Sequence, residues 1–202
     1  MFTLSRRATF LIAATSAVAL LVSRPAFADP AITAFMQQFG VEMVSVINGQ
    51  APNEQKKELL KPTIETHVDV SEIAKFCLGR FWRKATPDQQ ARFTTIFHRV
   101  LLNQIASHLG EYQGVSYTIK ETVPSGDDVA VNTTIVRPNA PTANVQWVVS
   151  TKSGSPKIID VIAEGTSMRL TQRNDYASFL SSHGDDIDAL ITAMTQKLDN
   201  PG

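Results

Sequence analysis

Ile32, Phe35, Met36, Phe39, Met43 and Ile47 recur at three- and four-residue spacing behind Asp29-Pro30, and the pattern stops at Gly49. Proline at the first helical position and glycine just past the last apolar one predict an amphipathic helix between them. A second helical pattern covers 53–67, with Leu59, Leu60 and Ile64 apolar and Pro62 placed to kink or divide it. A third starts near Asp69, has Glu72 three residues on, carries Ile73, Phe76 and Cys77, and stops at Gly79. The clearest start is Thr86-Pro87-Asp88-Gln89, where threonine caps, proline opens the helix and glutamine closes a capping box. Behind it Phe93, Ile96, Phe97, Val100, Leu101, Ile105 and Leu109 form one wide apolar stripe up to Gly110.

From Gly114 the period becomes two. Segments 116–121, 128–136, 143–151 and 157–164 read as four strands, parted by Pro124-Ser125-Gly126-Asp127, Pro138-Asn139-Ala140-Pro141 and Ser153-Gly154-Ser155-Pro156. Such short connections predict an antiparallel meander. Two more helical patterns, 171–182 and 186–198, close the chain. Helices, then an antiparallel sheet, then helices again is an α+β pattern with helices packed on one sheet face.

The first residues follow a different logic. Arg6 and Arg7 precede an apolar stretch from Ala8 to Val22, and Pro25-Ala26-Phe27-Ala28 offers a small-x-small cleavage site, so 1–28 is expected to be a cleaved export leader and 29–202 a single domain. The stretch is too short for a good membrane span. Ser5-Arg6-Arg7 leaves the route, folded or unfolded, open. The leader carries three of the 19 basic residues and none of the 19 acidic ones, leaving 16 against 19, a balance with no general pull toward nucleic acid. Cys77 is the one cysteine, so an internal disulfide is excluded, and its apolar surroundings predict a small buried side chain.

Catalytic signatures are missing from the sequence. There is no Gly-x-Ser-x-Gly elbow, no phosphate-cradling glycine loop and no His-Glu-x-x-His helix, and His67, His98, His108 and His183 lack a partner at metal-ligand spacing. Asp160 and Glu164 stand four apart on a predicted strand, which places them together on a polar outward face opposite Ile159, Val161 and Ala163. Lys75, Arg80, Arg83, Lys84, Arg92 and Arg99 are clustered, and the part beside Phe81 and Trp82 is a candidate to meet phosphate. The main resource is apolar surface, on helices and sheet alike. Whether the space between these layers is filled or hollow is not written in the sequence.

One run of residues is more specific. Phe76-Cys77-Leu78-Gly79-Arg80-Phe81-Trp82-Arg83-Lys84-Ala85-Thr86-Pro87-Asp88-Gln89-Gln90 with Phe93 and Phe97, then Leu109-Gly110-Glu111-Tyr112, then Asp160-Val161-Ile162-Ala163-Glu164-Gly165-Thr166-Ser167-Met168 with Gln172-Arg173 and Tyr176, resembles the MlaC family, also called the toluene-tolerance family. Asp185-Asp186 looks like a one-residue insertion, and Arg169 stands where an apolar residue is common.

The resemblance implies a cone similar to nuclear transport factor 2, in which helices and a curved sheet enclose an apolar pocket. It further implies a periplasmic phospholipid carrier of Gram-negative bacteria, with no cofactor and no catalysis. Its implied partners are an inner-membrane ABC transporter bearing a ring of MCE domains and an outer-membrane lipoprotein–porin complex. On the facing read above, the expected lining residues are Phe93, Phe97, Leu101, Val145, Trp147, Val149, Ile159, Val161 and Met168, with Arg80, Arg83 and Lys84 as headgroup contacts. Three other readings remain open: a carrier of another lipid such as a hopanoid, an isomerase-type enzyme on the same cone, and a solidly packed scaffold.

Overall fold

The computed structural model describes residues 30–138 and 140–199. The expected export leader and its expected cut after Ala28 lie outside them. Six α-helices and five strands follow the expected order. The first helix, α1, is Pro30–Asn48 and the second, α2, is Asn53–His67. Pro62 does not divide α2: it lies on the exposed side with Glu58, so the carbonyl it leaves unpaired faces water. The two helices are tied end to side by Lys56, whose buried ammonium donates to the carbonyl of Ile47 at 2.6 Å and to Gln113 Oε1 at 3.1 Å. A cation on the last carbonyls of α1 satisfies groups the helix cannot pair itself.

Helix α3, Val70–Leu78, is capped by Asp69, which accepts from the Glu72 amide at 3.0 Å. A 3-10 turn, Gly79–Arg83, leads to α4, Pro87–Ser107, where the predicted capping box forms in both directions: Thr86 Oγ1 accepts from the Gln89 amide and Gln89 Oε1 from the Thr86 amide. The stripe of α4 does not stay α-helical to Gly110; it passes into a second 3-10 turn, Leu109–Tyr112. Helices α5, Met168–Ser182, and α6, Ile187–Asp199, close the chain.

The sheet is an open antiparallel meander of β1 (Ser116–Ser125), β2 (Asp128–Arg137), β3 (Ala140–Ser150), β4 (Lys157–Ala163) and β5 (Thr166–Ser167), in that spatial order. Five strands stand where four are expected. The extra one arises because Glu164 and Gly165, at φ of 51° and 76°, turn the chain back so that Ala163 pairs with Thr166. Positive φ at both central residues is the signature of a type I′ hairpin turn. Glu164 therefore belongs to a turn and does not share a strand face with Asp160. Likewise β1 runs through Pro124, tolerated on an edge strand, to a two-residue turn opened by Gly126 at φ 65°.

A register shift in β4 corrects the predicted facing. Val148 pairs with Asp160 and Val149 with Ile158, which leaves Ile159 as the extra residue of a bulge. Ile158, not Ile159, therefore joins Val131 and Val149 in the core beneath α1, where Ile32, Met36 and Phe39 cover them. The approach of α1 to β1 is close: a Cβ on Gly40 would lie 2.4 Å from two ring carbons of Tyr117. A second core is purely helical, built from Ala74, Cys77, Leu78, Phe81, Phe93, Phe97, Tyr176, Leu180, Leu190 and Met194 among others. A third, around Ile47, Leu60, Leu109 and Val115, fills the far end of α1.

Candidate functional site

The nine expected lining residues fall on three surfaces. Phe93 and Phe97 lie in the helical core, 0% and 5% exposed, each presenting an edge-on contact to the Tyr176 ring at 5.7 and 6.4 Å. Leu101, two turns beyond Phe93, is half-buried. Val145, Trp147 and Val149 line up on the α1 side of β3, and Val161 pairs with Trp147 from β4. Ile159 opens to a cleft, and Met168, first residue of α5, is 46% exposed. The structure thus brings together the strand group and the α4 group separately, without merging them.

The strand group has a built environment. The Trp147 indole donates to Thr133 Oγ1 at 2.9 Å, and that hydroxyl donates to the Val145 carbonyl at 2.8 Å, so a polar tip is satisfied inside an apolar layer. Phe39 meets Trp147 edge-on at 5.2 Å. His67, the last residue of α2, packs tilted against the rings of Phe35 and Phe39 at 5.2 and 5.5 Å, with Nδ1 2.9 Å from the Thr63 carbonyl and 3.7 Å from Glu42 Oε2. In the sequence His67 carries no signal beyond its place at the end of a helical pattern. Two buried hydroxyls, Thr33 Oγ1 on α1 and the Tyr117 hydroxyl on β1, have no hydrogen-bond partner among the described residues. Burial pushes the Tyr117 phenol well above its usual range.

Arg80, Arg83 and Lys84 occupy the corner between α3 and α4. Arg80 lies 4.7 Å from the Phe81 ring centroid and donates to Ser181 Oγ at 3.3 Å, Lys84 pairs with Asp185 at 2.8 Å, and Arg83 is exposed. Their neighbours are thus the α5–α6 junction, not the sheet. The Asp185 expected as part of an insertion finds its use here.

Asp160 is not solvated as the strand alternation predicts. Its buried carboxylate accepts from Ser167 Oγ at 2.6 Å and from the amides of Val161 and Arg169 at 2.8 and 3.1 Å, with the Arg169 Nε at 3.4 Å. The carboxylate lies at the N-terminus of α5, where helix amides and dipole favour a negative charge. Arg169 in turn lies 4.4 Å from the Phe76 ring and Arg173 5.0 Å from it, which accounts for a charge where an apolar residue was expected. Cys77 is buried in the adjoining core, its Sγ 3.5 Å from the Arg169 carbonyl, and desolvation pushes the thiol up to about 12. Three hydrogen bonds and the Arg169 guanidinium hold the Asp160 carboxylate as an anchor for the start of α5.

Two clefts open on the described surface. One, about 420 Å³, is lined by Asp69, Glu72, Asp128, Ser150, Lys152, Ser153, Ile159 and Arg169. The other, about 430 Å³, lies over the polar ladder in which Gln146 donates to Asn132 and Asn132 to Glu121. Polar side chains make up most of each lining, with Ile159 in the first and Val145 and Ile162 in the second. Among the described residues no group of three or more His, Cys, Asp or Glu is placed to hold a metal ion, and no helix is long and apolar enough to cross a membrane.

Known proteins share this architecture. The chain aligns at 25% identity over 197 residues, 91% of its own length and 89% of the relative's, with the intermembrane phospholipid transport system binding protein MlaC of Haemophilus influenzae. It is 28% identical over 126 residues to the toluene tolerance protein ttg2D of Pseudomonas putida, covering 61% of this chain and 59% of that one. Its fold matches the phospholipid-binding protein of Ralstonia solanacearum, solved in complex with a phospholipid, with a TM-score of 0.73 at 21% identity, over 82% of this chain and 96% of that one. The family model described as MlaC protein matches residues 37–196. Since that span takes in all six helices and the whole sheet apart from the ends of α1 and α6, the chain belongs to the MlaC family.

Proposed function

We propose that this protein is a phospholipid carrier that works in the periplasm, delivered there by the leader at 1–28 and acting as one domain over 29–202. The observation that carries the reading is the family match across 37–196, joined to a shared fold with a relative solved around a phospholipid. The physical case is independent of either. Two ordinary acyl chains hold roughly thirty methylenes, and exposing them to water costs on the order of 20 kcal/mol at about 0.8 kcal/mol each. A lipid therefore crosses an aqueous gap only inside a dry site, and leaves it by docking against a partner.

The acyl chains take the seam between α1 and the sheet, lined by Val145, Trp147, Val149 and Val161, while Phe93 and Phe97 stay in the separate helical core. The seam is filled by its own side chains in this structure, so lipid entry parts α1 from the sheet and replaces one apolar contact by another. The unpartnered hydroxyls of Thr33 and Tyr117 border that seam and suit the ester carbonyls of a diacyl lipid. Arg80, Arg83 and Lys84 face outward and serve an encounter with the carrier's partners, an ABC transporter with an MCE ring on one side and an outer-membrane lipoprotein–porin complex on the other. No catalytic step is needed, and the hydrogen bonds that hold Asp160 leave the isomerase reading without its base.

Solvent extraction of the protein isolated from a periplasmic fraction tests this. Phospholipid recovered near one molecule per chain is the expected result; a protein found in that fraction with no lipid after exposure to phospholipid vesicles overturns it.

A further inference from the structure

The seam between α3 and α5 carries positive charge that the fold itself leaves uncompensated. Arg169 and Arg173 stand one turn apart on α5, and both guanidiniums lie over the Phe76 ring of α3, at 4.4 and 5.0 Å from its centroid. Only Arg169 has a counter-ion there, the buried Asp160 carboxylate at 3.4 Å. Arg173 is held in place without one: a Cβ on Gly79 would stand 2.9 Å from its Nε and 3.2 Å from its Cζ, so the guanidinium rests against bare backbone on one side and the aromatic ring on another. Arg80, exposed at the end of α3, reaches across to α5, where it donates to Ser181 Oγ at 3.3 Å. The ion pairs among the described residues join other cations to carboxylates and include neither Arg173 nor Arg80. A guanidinium already fixed by packing loses little freedom when a partner arrives, and its planar fork of donors matches one carboxylate.

The first turn of α5 adds two exposed apolar side chains, Met168 and Leu170, on either side of Arg169 in the chain. Arginine, an aromatic ring and methionine are the groups enriched at the centre of protein interfaces. The distribution of charge favours a protruding chain over a flat anionic surface. Exposed Glu72, one turn before Phe76, and exposed Asp185, one turn beyond Ser181, stand at the two ends of the row. A membrane plane laid across the row would meet those carboxylates together with the arginines, whereas an acidic side chain reaching between the helices meets arginine alone. Arg173 and Arg80 come from different helices, two separate forks for two carboxylates of one segment.

We propose that the α3–α5 seam docks an acidic segment of a partner protein, with one carboxylate on Arg173, a second on Arg80 and an apolar side chain on Leu170. The proposal rests on the carrier reading for its partner, a protein that hands lipid over or takes it. Its test is fluorescence anisotropy of a labelled peptide of glutamate and leucine, beside the same peptide with glutamine for glutamate. The glutamate peptide is expected to bind saturably, and Arg173→Gln and Arg80→Gln each to weaken it about tenfold, the loss of one charge-assisted hydrogen bond. Leu170→Ser should weaken it about fivefold, and Lys61→Gln, an exposed cation on α2, not at all. Circular dichroism checks each fold; if Arg173→Gln unfolds, the exposed Arg80 and Leu170 variants decide. Equal affinity for the two peptides, binding that survives the arginine variants, or an equal loss in Lys61→Gln overturns the docking site. Sedimentation with phosphatidylglycerol vesicles is the second arm: wild type pelleted and Arg173→Gln left in solution would make this face a membrane contact and overturn it as well. Phospholipid per chain is measured on the same samples. Lipid held by a protein that ignores the peptide removes the docking site and leaves the carrier; peptide bound through Arg173 by a protein that holds no lipid removes the carrier and leaves the site.

Discussion

Trp147 and Phe39 meet edge to face with their ring centroids 5.2 Å apart, and through this contact the middle of the sheet is fastened to α1. Replacing Trp147 by alanine removes the largest side chain of the seam and leaves the Thr133 hydroxyl without its indole donor, so Trp147→Ala is expected to lower stability by about 3–5 kcal/mol. Trp147→Phe keeps the apolar body and loses the hydrogen bond, at about 1 kcal/mol. Urea unfolding followed by far-UV circular dichroism separates the two. Equal losses would show that the apolar body of the side chain adds nothing to the seam.

Gly40 and Tyr117 set how closely α1 lies on β1. With no room for a Cβ, Gly40→Ala forces the Tyr117 ring or the helix to move, and a cost of about 1–3 kcal/mol is expected despite the better helix propensity of alanine. Adding Tyr117→Leu should restore part of it. A gain in stability for the single variant would mean that the helix and strand are farther apart than described.

Asp160 holds the start of α5 to β4. Asp160→Ala strands the Arg169 guanidinium and two amides in a buried place, and about 3 kcal/mol is expected to be lost. Ser167→Ala, which removes one of the donors, should cost about 1 kcal/mol. Hydrogen exchange at the first turn of α5 reports the loosening directly, and unchanged protection there in Asp160→Ala would refute the clamp.

Cys77 supplies a pH dependence with a definite sign. Its thiol is raised from the ordinary 9.0 to about 12, so below pH 9 both folded and unfolded states keep the proton and stability is unaffected. Above pH 9 the unfolded chain loses its proton first, and the folded state is progressively disfavoured until the pH passes 12. At pH 8 the folded protein should react with iodoacetamide about a thousandfold more slowly than the unfolded chain, following the thiolate fraction. Comparable rates would place Cys77 outside the core.

Most elements are legible because their signals are local. Thr86 and Gln89 form the cap their spacing announces, and Gly79, Gly126 and Gly165 stand where the chain adopts positive φ. What is not legible depends on register. A single extra residue at Ile159 puts Ile158 in the core in its place, and no alternation count shows a bulge; Asp160 keeps the face opposite Val161, but Ser167 and the start of α5 cover it. The same holds for Glu164, whose turn becomes visible only once β5 exists as a partner. The apolar stripe of α4 is legible but its partner is not: Phe93 and Phe97 meet Tyr176 on α5, and a stripe specifies burial, not the neighbour. His67 became central only by the folding of α2 against α1.

The seam between α1 and the sheet is the centre of this account, and the protein carries its own probe there. Its two tryptophans are Trp82, at the α3–α4 corner, and Trp147, in the seam. Quenching by phospholipid brominated along its acyl chains acts near contact, so it should be measured in Trp82→Phe and in Trp147→Phe. The account predicts strong quenching of Trp147 and little of Trp82. Quenching of Trp82 with Trp147 untouched, at stoichiometric bound lipid, would contradict it.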